Sequence, residues 1–406
     1  MIVNKVSYIL KHEGFSSLYI RPYRMLIQYI NSFLVILFSL FPIKRNKVIL
    51  ESHGDYSDNV RTLYDYLQTI HDDKFEVVWL VQNPREYSPK TRTKFVSRNI
   101  NRIQLRGSYH IATGGFFVFS HPYWLKRWRK GQIVVHTTHS VAQLKADGVF
   151  DGKRPYNYIL SCSDYRSKLL ADYYQDSNKK HILCIGFPRI DLMFKHKSCV
   201  HMLVPEYDNQ KVILGMETFK QTSTWDDGGD KDVFAINVIH SIDKLIEFDK
   251  YLTAHNLIYI IKIHHLQDVS VLKMVSLKSI IYLKDDDLRK QDIQINELLE
   301  NADVLLTDYS SVFYEFLLTN RPIGFLIGDI NDYKRGFAMD NPLDEMPGAK
   351  ISTYDDLINF IECCLNGQDD FSDERRRIRD KVFKYQDGNN SYRLYKWMVR
   401  KAHLEE

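Results

Sequence analysis

The sequence lacks the cysteine pattern of a disulfide-stabilised or zinc-binding protein. Its 406 residues contain five cysteines, an odd number, and no C-x-x-C motif. A disulfide framework is expected to show an even set of cysteines, and a structural zinc site is expected to show closely spaced pairs. The cysteine content therefore indicates neither, and it is typical of a reducing cytosol.

A strong charge excess, internal repeats and low-complexity segments are also missing. The net charge is +4, from 55 basic and 51 acidic residues, which is too small to indicate a nucleic-acid partner. A mild positive charge is compatible with an anionic substrate or an anionic membrane surface. With 44% hydrophobic residues, the chain is long enough for two folded domains that each have a core.

No apolar run is long enough to indicate a transmembrane helix. The most apolar stretch, residues 33–43, is shorter than the roughly 20 residues that span a bilayer. Basic residues flank this stretch on both sides, and no small-residue cleavage site of a secretory signal follows it. We expect residues 1–47 to form a helical segment that lies on an anionic membrane surface as a monotopic attachment. The alternative is a soluble helix that packs on the first domain.

The rest of the chain alternates between short apolar runs and helical patterns. Strands are predicted at residues 48–51, 76–81, 116–120, 133–135, 158–161, 182–185, 212–215, 257–263, 280–283, 304–307 and 323–327. Helices are predicted at residues 60–70, 354–366 and 372–384. This alternation predicts parallel sheets wound with helices. The polar stretch 196–210 is the predicted linker, so we expect two doubly wound domains, at residues 48–200 and 201–406.

A strand-to-helix joint within residues 301–318 is the most informative motif. An apolar run at residues 304–306 is followed by Ser310 and Ser311, and apolar residues then recur at helical spacing. Serine hydroxyls can cap free backbone N–H groups, and a helix N-terminus at the carboxyl edge of a parallel sheet attracts anions such as a pyrophosphate. The same pattern also fits an ordinary capped helix that binds nothing.

Two histidines follow predicted strands, where the catalytic groups of α/β proteins collect. His136 follows the strand at residues 133–135, and an ordinary pKa of ~6.5 suits a base at neutral pH. It is equally compatible with a hydrogen-bonded loop histidine. Lys262 and His264 are two residues apart and therefore on one face of a strand end, where both can meet a diphosphate. The alternative there is a solvated strand end.

The sequence indicates no metal site. His139 lies three residues after His136, but no carboxylate or third histidine follows at a recognisable spacing. The acidic run at residues 285–287 is more typical of a surface turn than of a metal-binding motif.

Five blocks of the sequence resemble the CDP-glycerol glycerophosphotransferase family, the bacterial enzymes that prime or polymerise teichoic acids and related capsules. The blocks are E-S-H-G-D-Y-S-D-N at 51–59, G-F-P-R-I-D at 186–191, T-D-Y-S-S at 307–311, R-G-F-A-M-D at 335–340 and M-P-G at 346–348. Weaker matches are H-T-T at 136–138, where the family has H-G-T, K-I-H-H at 262–265, where it has K-x-H-P, and D-G at 387–388. The resemblance extends over residues 48–395.

The resemblance implies an α/β fold of the GT-B type, in which two doubly wound parallel-sheet domains face each other across a cleft. The first domain would present the acceptor, and the second would bind the donor, CDP-glycerol. The implied catalytic residues are His136 and His264. The implied donor-binding residues are Lys262, Asp308, Ser310, Ser311, Arg335, Pro347 and Gly348. The implied acceptor-side residues are Gly54, Tyr56, Ser57, Asp58, Asn59 and Arg189. The resemblance implies no bound cofactor.

The implied activity is the transfer of glycerol phosphate from CDP-glycerol to a hydroxyl of a membrane-linked or polymeric acceptor, with release of CMP. It would take place at the cytoplasmic face of the cell membrane. Two other enzymes stay open: a transferase that uses CDP-ribitol, and a GT-B glycosyltransferase that uses a nucleotide sugar. A catalytically silent binding module also stays open, because Thr137 replaces the family's glycine and His265 replaces its proline.

Overall fold

Two parallel β-sheets form the framework of the protein. The computed structural model describes residues 17–88, 91–99, 101–121, 128–138, 140–146, 156–176, 178–218, 234–263, 275–334 and 336–404. The first sheet contains β1 (Lys44–Glu51), β2 (Glu76–Val81), β3 (Thr93–Ser97), β4 (Gly114–Phe119), β5 (Ile133–His136), β6 (Tyr158–Ser161) and β7 (Ile182–Cys184). The second sheet contains β8 (Lys211–Met216), β9 (Leu257–Lys262), β10 (Ile280–Leu283), β11 (Val304–Thr307), β12 (Ile323–Leu326) and β13 (Ala349–Ile351).

Helices connect these strands and cover the sheets. They are α1 (Ser17–Phe38), α2 (Asp58–Thr69), α3 (Leu105–Thr113), α4 (Asp164–Tyr173), α5 (Val200–Leu203), α6 (Ile242–Ala254), α7 (Asp285–Lys290), α8 (Ile295–Asn301), α9 (Val312–Phe316), α10 (Tyr354–Leu365), α11 (Ser372–Val382) and α12 (Asn390–Ala402). Strands such as β4 and β11 are buried along their whole length. This explains their continuous apolar sequence, because a parallel sheet is covered on both faces.

Each sheet reverses its strand order at one position, and these positions define where ligands are expected. The first sheet has the order β3-β2-β1-β4-β5-β6-β7, and the second has β10-β9-β8-β11-β12-β13. All pairings are parallel. In open α/β sheets, ligands bind beyond the carboxyl ends of the strands at the reversal. The two expected crevices therefore lie after β1 and β4, and after β8 and β11.

The predicted α/β architecture with two parallel sheets is confirmed. The sequence pattern missed the strands β3 and β13, which are only five and three residues long, and it gave no bounds for α3 to α8 or for α12. The largest cluster of buried apolar side chains contains residues of both sheets, including Val48 and Leu214. The two halves therefore share one continuous core.

The last helix, α12, returns to the first domain. The hydroxyl of Tyr395 donates to Oδ1 of Asp72 at 3.0 Å, and the Trp397 ring packs edge-on against Tyr158 at 4.9 Å. The buried carboxylate of Asp191 accepts hydrogen bonds from the backbone N–H groups of Asn390 and Ser391, both at 2.8 Å. Asp191, the last residue of the G-F-P-R-I-D block, thus holds the start of α12.

The N-terminal helix α1 packs on α3 through one side only. Asn31 is buried, and its Nδ2 donates to the carbonyl of Arg102 at 3.1 Å while its Oδ1 accepts from the backbone N–H of Gln104 at 2.8 Å. Ile27, one turn earlier, is buried beside it. Within the described part of the chain, no helix is both long and apolar enough to cross a bilayer.

Candidate functional site

His136 ends β5 at the carboxyl edge of the first sheet. Its ring stacks on Phe119 with 5.0 Å between the centroids and lies 5.4 Å from the ring of Tyr156. Its Nε2 is 3.1 Å from the carbonyl oxygen of Ser120. A carbonyl can only accept a hydrogen bond, so Nε2 carries the proton and the buried Nδ1 is the nitrogen that can take one up.

The loop after His136 accommodates the threonine that replaces the family's glycine. Thr137 is buried, and its N–H and Oγ1 both donate to the carbonyl of Phe119, at 2.9 and 3.2 Å. The positive φ of this turn, +47°, falls on Thr138. The carbonyl of Thr138 accepts a 3.0 Å hydrogen bond from Nδ2 of Asn59, which is fully buried. Asn59 therefore supports the loop that begins at His136.

The G-D-Y-S-D-N loop between β1 and α2 is held by interactions within the protein. Positive φ angles occur at Gly54, Asp55, Tyr56 and Asp58. The carboxylate of Asp55 pairs with Arg98 and accepts from the N–H of Gln82 at 2.6 Å. Ser57 donates from its N–H to Oγ of Ser52 at 3.0 Å and from its hydroxyl to the carbonyl of His53 at 2.5 Å.

Tyr56 anchors this loop in an aromatic cluster. Its ring lies 5.2 to 6.1 Å from the rings of Tyr64, Trp79, Tyr87 and Phe95. Burial in this cluster, together with the nearby Asp65 carboxylate, raises the pKa of Tyr56 well above its ordinary value. Tyr56 is therefore not a proton donor or acceptor at neutral pH, and its acceptor contact stays a prediction.

Arg189 connects the first domain to the second. Its guanidinium pairs with Asp58 at 2.7 Å and with Glu315 on α9, and its backbone N–H donates to Oδ1 of Asn59 at 3.1 Å. Glu315 also accepts from Nδ2 of Asn296. Burial opposes the charge on Arg189, but the carboxylates of Glu315 and Asp58 outweigh it and raise the pKa of Arg189. The guanidinium of Arg189 is thus bound to carboxylates of the protein, and its place on the acceptor side stays a prediction.

The T-D-Y-S-S joint lies at the strand-order reversal of the second sheet. Asp308, the residue after β11, is fully buried. Its Oδ1 accepts from the N–H and the hydroxyl of Thr218, both at 2.8 Å, and from the N–H of Ser310 at 3.0 Å. Thr218 follows β8, so Asp308 ties together the two strand ends that bound the expected crevice. A contact of Asp308 with the donor stays a prediction.

Ser310 and Ser311 are partly buried and precede α9. Ser311 is the residue before the helix and makes no side-chain capping hydrogen bond. The expectation that serine caps this helix is therefore wrong for Ser311, because its backbone is already helical, with φ −66° and ψ −4°. A capping residue has an extended backbone that aims its hydroxyl back at the helix.

The segment around the R-G-F-A-M-D block packs against this joint. Tyr309 is buried, its ring lies 5.2 Å from the ring of Phe337, and its hydroxyl donates to Asp329 at 2.9 Å. The same segment also meets the first domain. The N–H of Ala146 donates to the carbonyl of Gly336 at 3.1 Å, and the N–H of Ala338 donates to the carbonyl of Leu144 at 2.9 Å.

Lys145, in the middle of this pairing, reaches the second sheet's reversal. Its Nζ donates to Oγ1 of Thr218 at 2.7 Å. No pattern in the sequence singles out Lys145, because only the folded chain brings residues 145 and 218 together.

Lys262 and the M-P-G block have contacts of their own. Nζ of Lys262 lies 2.8 Å from Oδ1 of Asp285 and 3.1 Å from the carbonyl oxygen of Ile263. Pro347 and Gly348 are buried, and a Cβ at Gly348 would lie 2.2 Å from the carbonyl oxygen of Ile323. Gly348 is thus required by the close approach of its backbone to β12. Donor contacts of Lys262, Pro347 and Gly348 stay predictions.

Two predicted site residues, His264 and Arg335, lie outside the described residues, as does His265. Among the residues that the structure describes, no three histidine, cysteine or carboxylate side chains are close enough together to hold a metal ion.

A pair of histidines that the sequence analysis passed over lies at the first sheet's reversal. The rings of His53, after β1, and His121, after β4, are 5.4 Å apart, and both side chains are exposed. The N–H of His53 donates to Oγ of Ser120 at 3.1 Å, and Ser120 also contacts His136. Three histidines therefore lie around Ser120. The sequence does not show this, because His53, His121 and His136 lie at the ends of three different strands.

The chain is similar in sequence to known teichoic acid enzymes over most of its length. The chain is 24% identical over 381 residues to the teichoic acid poly(glycerol phosphate) polymerase of Bacillus spizizenii, which covers 86% of this chain and 91% of that protein. It is 26% identical over 367 residues to the teichoic acid glycerol-phosphate primase of Bacillus subtilis, covering 86% and 87%. It is 24% identical over 386 residues to the ribitol-phosphate polymerase TarK of Staphylococcus aureus, covering 89% and 70%.

The fold is similar to that of the wall teichoic acid polymerase TagF. The TM-score is 0.72 at 17% identity, over 99% of this chain and 98% of that chain. A profile of the family described as CDP-glycerol:poly(glycerophosphate) glycerophosphotransferase matches residues 33–400. The resemblance seen in the five sequence blocks is thereby confirmed. The chain belongs to the CDP-glycerol:poly(glycerophosphate) glycerophosphotransferase family, and it is an enzyme of the transferase class.

Proposed function

We propose that the protein transfers glycerol phosphate from CDP-glycerol to a hydroxyl of a lipid-linked or polymeric acceptor in teichoic acid or capsule synthesis, releasing CMP. One observation carries this proposal beyond family membership. The loop that begins at His136 extends to the second domain, where residues 144–146 pair with residues 336–338 beside the T-D-Y-S-S joint. This pairing supports a cleft shared by the candidate base and the candidate donor site.

The chemistry we propose is a direct displacement at the distal phosphorus of the donor. The acceptor oxygen forms a bond to this phosphorus, and the bond to the bridging oxygen breaks. The electron pair stays on the bridging oxygen, which leaves as the phosphate of CMP, and the acceptor proton passes to His136. Because this phosphate is a weak base, no strong general acid is required.

The remaining predicted residues take the donor side of this proposal. Ser310 and Ser311 would bond the pyrophosphate, together with Lys262, His264 and Arg335. Asp285, the ion-pair partner of Lys262, is mostly exposed, so exchange of this carboxylate for a phosphate costs little. On the acceptor side, the exposed His53 and His121 border the first sheet's crevice, and Ser120, whose carbonyl contacts His136, precedes His121 and accepts from the N–H of His53.

The donor is tested by incubating the protein with CDP-glycerol or CDP-ribitol, with and without a membrane extract, and measuring CMP. We expect CMP release from CDP-glycerol that depends on the extract. CMP release from CDP-ribitol but not from CDP-glycerol would show that the donor is CDP-ribitol, an alternative that the similarity to TarK keeps open. Release of a nucleoside diphosphate from a nucleotide sugar would indicate a glycosyltransferase. Binding of CDP-glycerol without CMP release from any acceptor would indicate the silent binding module.

The role of His136 is tested with His136→Ala, for which we expect a loss of turnover of about 10²- to 10⁴-fold with CDP-glycerol affinity retained. A matched control is His181→Ala, because Nδ1 of His181 also contacts a backbone carbonyl, that of Asn157, at 2.7 Å. His181 precedes β7 and lies at the opposite edge of the sheet. Unchanged CMP release by the His136 variant would remove this residue from the mechanism.

The protein is further proposed to act at the cytoplasmic face of the membrane as a peripheral protein, with α1 in the headgroup region. The side of α1 that faces away from α3 exposes large apolar side chains, among them Tyr29 (69%), Phe33 (62%) and Ile36 (67%). Their spacing of three and four residues places them on one helix face. Arg24 and Lys44 are exposed near the two ends of this segment, where they would meet anionic lipid.

Sedimentation with vesicles that contain an anionic phospholipid tests this attachment. We expect the full chain to sediment with such vesicles and the Phe33→Asp/Ile36→Asp variant to remain in the supernatant. Tyr392→Asp, which changes an exposed apolar residue on α12, should sediment like the unchanged protein. Equal sedimentation of all three proteins would refute attachment through α1.

A further inference from the structure

The loop that carries the candidate base also carries a lysine to the donor domain. Residues 144–146 pair through their backbone with residues 336–338, and Lys145 forms an antiparallel bridge with Phe337. The bridge uses backbone groups only. The Lys145 side chain is therefore free to be replaced without loss of the pairing that holds the two segments together.

The ammonium of Lys145 ends at the crevice between β8 and β11. It donates to the hydroxyl of Thr218 at 2.7 Å, and this hydroxyl donates to Oδ1 of Asp308 at 2.8 Å. The same carboxylate oxygen accepts from the N–H of Ser310 at 3.0 Å. A short chain of hydrogen bonds thus runs from Lys145 through Thr218 and Asp308 to the T-D-Y-S-S joint.

We propose that Lys145 binds the pyrophosphate of the nucleotide donor, and that the acceptor domain thereby supplies a cation to the donor domain's ligand site. The proposal deepens the proposed function and rests on it for the identity of the donor. The strand-order reversal of an open parallel sheet is where ligands bind, and Lys145 is a cation that the other domain places there.

The position of Lys145 also explains how the two domains cooperate. A pyrophosphate oxygen bound by Lys145 is attached to the same loop that begins at His136, nine residues earlier. When the bond to the bridging oxygen breaks, negative charge grows on the CMP phosphate, and a fixed ammonium stabilises that charge. The donor would then be held from both sides of the cleft, which orients the distal phosphorus toward the acceptor.

Binding of three ligands to the full chain by isothermal titration calorimetry tests the proposal. We expect Lys145→Gln to weaken CDP-glycerol and CDP by about 10- to 100-fold, as for loss of a charge-assisted hydrogen bond, and to weaken CMP less. Lys145→Arg keeps the charge and should stay within about fivefold of the unchanged protein. Lys197→Gln is the control, because Lys197 pairs with Glu297 on α8, away from the reversal, at 3.1 Å.

Several outcomes would overturn the proposal. Affinity for CDP-glycerol and CDP within twofold of the unchanged protein would show that Lys145 only ties the domains together, as would an equal loss in the Gln and Arg variants. Equal weakening by Lys197→Gln would show a nonspecific charge effect. If the unchanged protein binds CDP but not CDP-glycerol, the proposed donor is wrong, and the effect of Lys145→Gln on CDP still decides the role of Lys145. Absence of binding by all three ligands would overturn both.

Discussion

Three ion pairs near the contact between the two sheets should contribute to stability according to their burial. Arg189 is paired with Glu315, whose side chain is 6% exposed, and with Asp58, which is 21% exposed and follows β1 as Arg189 follows β7. The third pair joins Arg61 to Asp292 at 2.6 Å, and Asp292 is 80% exposed. Replacing each carboxylate by its amide removes one charge and leaves the side-chain volume unchanged.

The magnitudes follow from what remains behind in each variant. Glu315→Gln leaves the buried Arg189 with one partner, and loss of a buried partner costs about 3–5 kcal/mol. Asp58→Asn removes a partly exposed charged hydrogen bond, worth about 1.5–3 kcal/mol. Asp292→Asn removes a solvent-screened pair, worth about 0–1 kcal/mol. Asp58 and Asp292 both have positive φ, 61° and 55°, which asparagine tolerates, so backbone strain does not enter.

Urea unfolding at pH 7, followed by tryptophan fluorescence and circular dichroism, measures these differences as shifts of the unfolding midpoint. We expect the loss of stability to be largest for Glu315→Gln, intermediate for Asp58→Asn and smallest for Asp292→Asn. A shift for Asp292→Asn as large as that for Glu315→Gln would refute the reasoning, because burial would then not decide the strength of these pairs.

Two further predictions concern stability. Gly186 has a φ of +85°, and a Cβ there would lie 2.0 Å from Oδ1 of Asn390, so Gly186→Ala should lower the free energy of unfolding by about 3 kcal/mol. Gly367 has a φ of +71° with nothing within 4 Å of such a Cβ, so Gly367→Ala should lower it by only about 1 kcal/mol. Equal urea midpoints for the two variants would contradict this. Burial and the nearby ammonium of Lys47 lower the pKa of His110 to about 4. Between pH 6.5 and 4 the unfolded chain binds this proton and the folded chain does not, so about 3 kcal/mol of stability is lost as the pH falls. His110→Gln should show a weaker pH dependence of its urea midpoint over this range, and an identical dependence would contradict the assignment.

Short-range patterns in the sequence were sufficient for the architecture. The alternation of buried apolar runs with helical spacing predicted the strands of both sheets except β3 and β13, because a parallel sheet imposes a continuous apolar sequence on each central strand. Those two edge strands were missed because they are short and carry polar residues. The T-D-Y-S-S joint was located correctly between β11 and α9, although Ser311 does not cap the helix.

The roles of individual motif residues were harder to derive. The family blocks indicated which segments surround the candidate site, but many side chains in these blocks make contacts that stabilise the fold. Asp191 holds the start of α12, Tyr56 fills an aromatic cluster, and Gly348 permits close approach to β12. A motif read along the chain does not distinguish a side chain that faces a ligand from one that faces a neighbouring segment.

The sequence by itself determined that this chain forms parallel sheets wound with helices and belongs to the glycerophosphotransferase family, because both follow from local periodicity and from short contiguous motifs. Only the tertiary structure decided that Arg189 joins Asp58 to Glu315, that His53 and His121 gather near His136, and that Lys145 meets Thr218. The contacts of Arg189 with Asp58 and Glu315, and that of Lys145 with Thr218, join residues 73 or more positions apart. They arise because parallel sheets bring the carboxyl ends of distant strands to one edge, and because two such edges face each other.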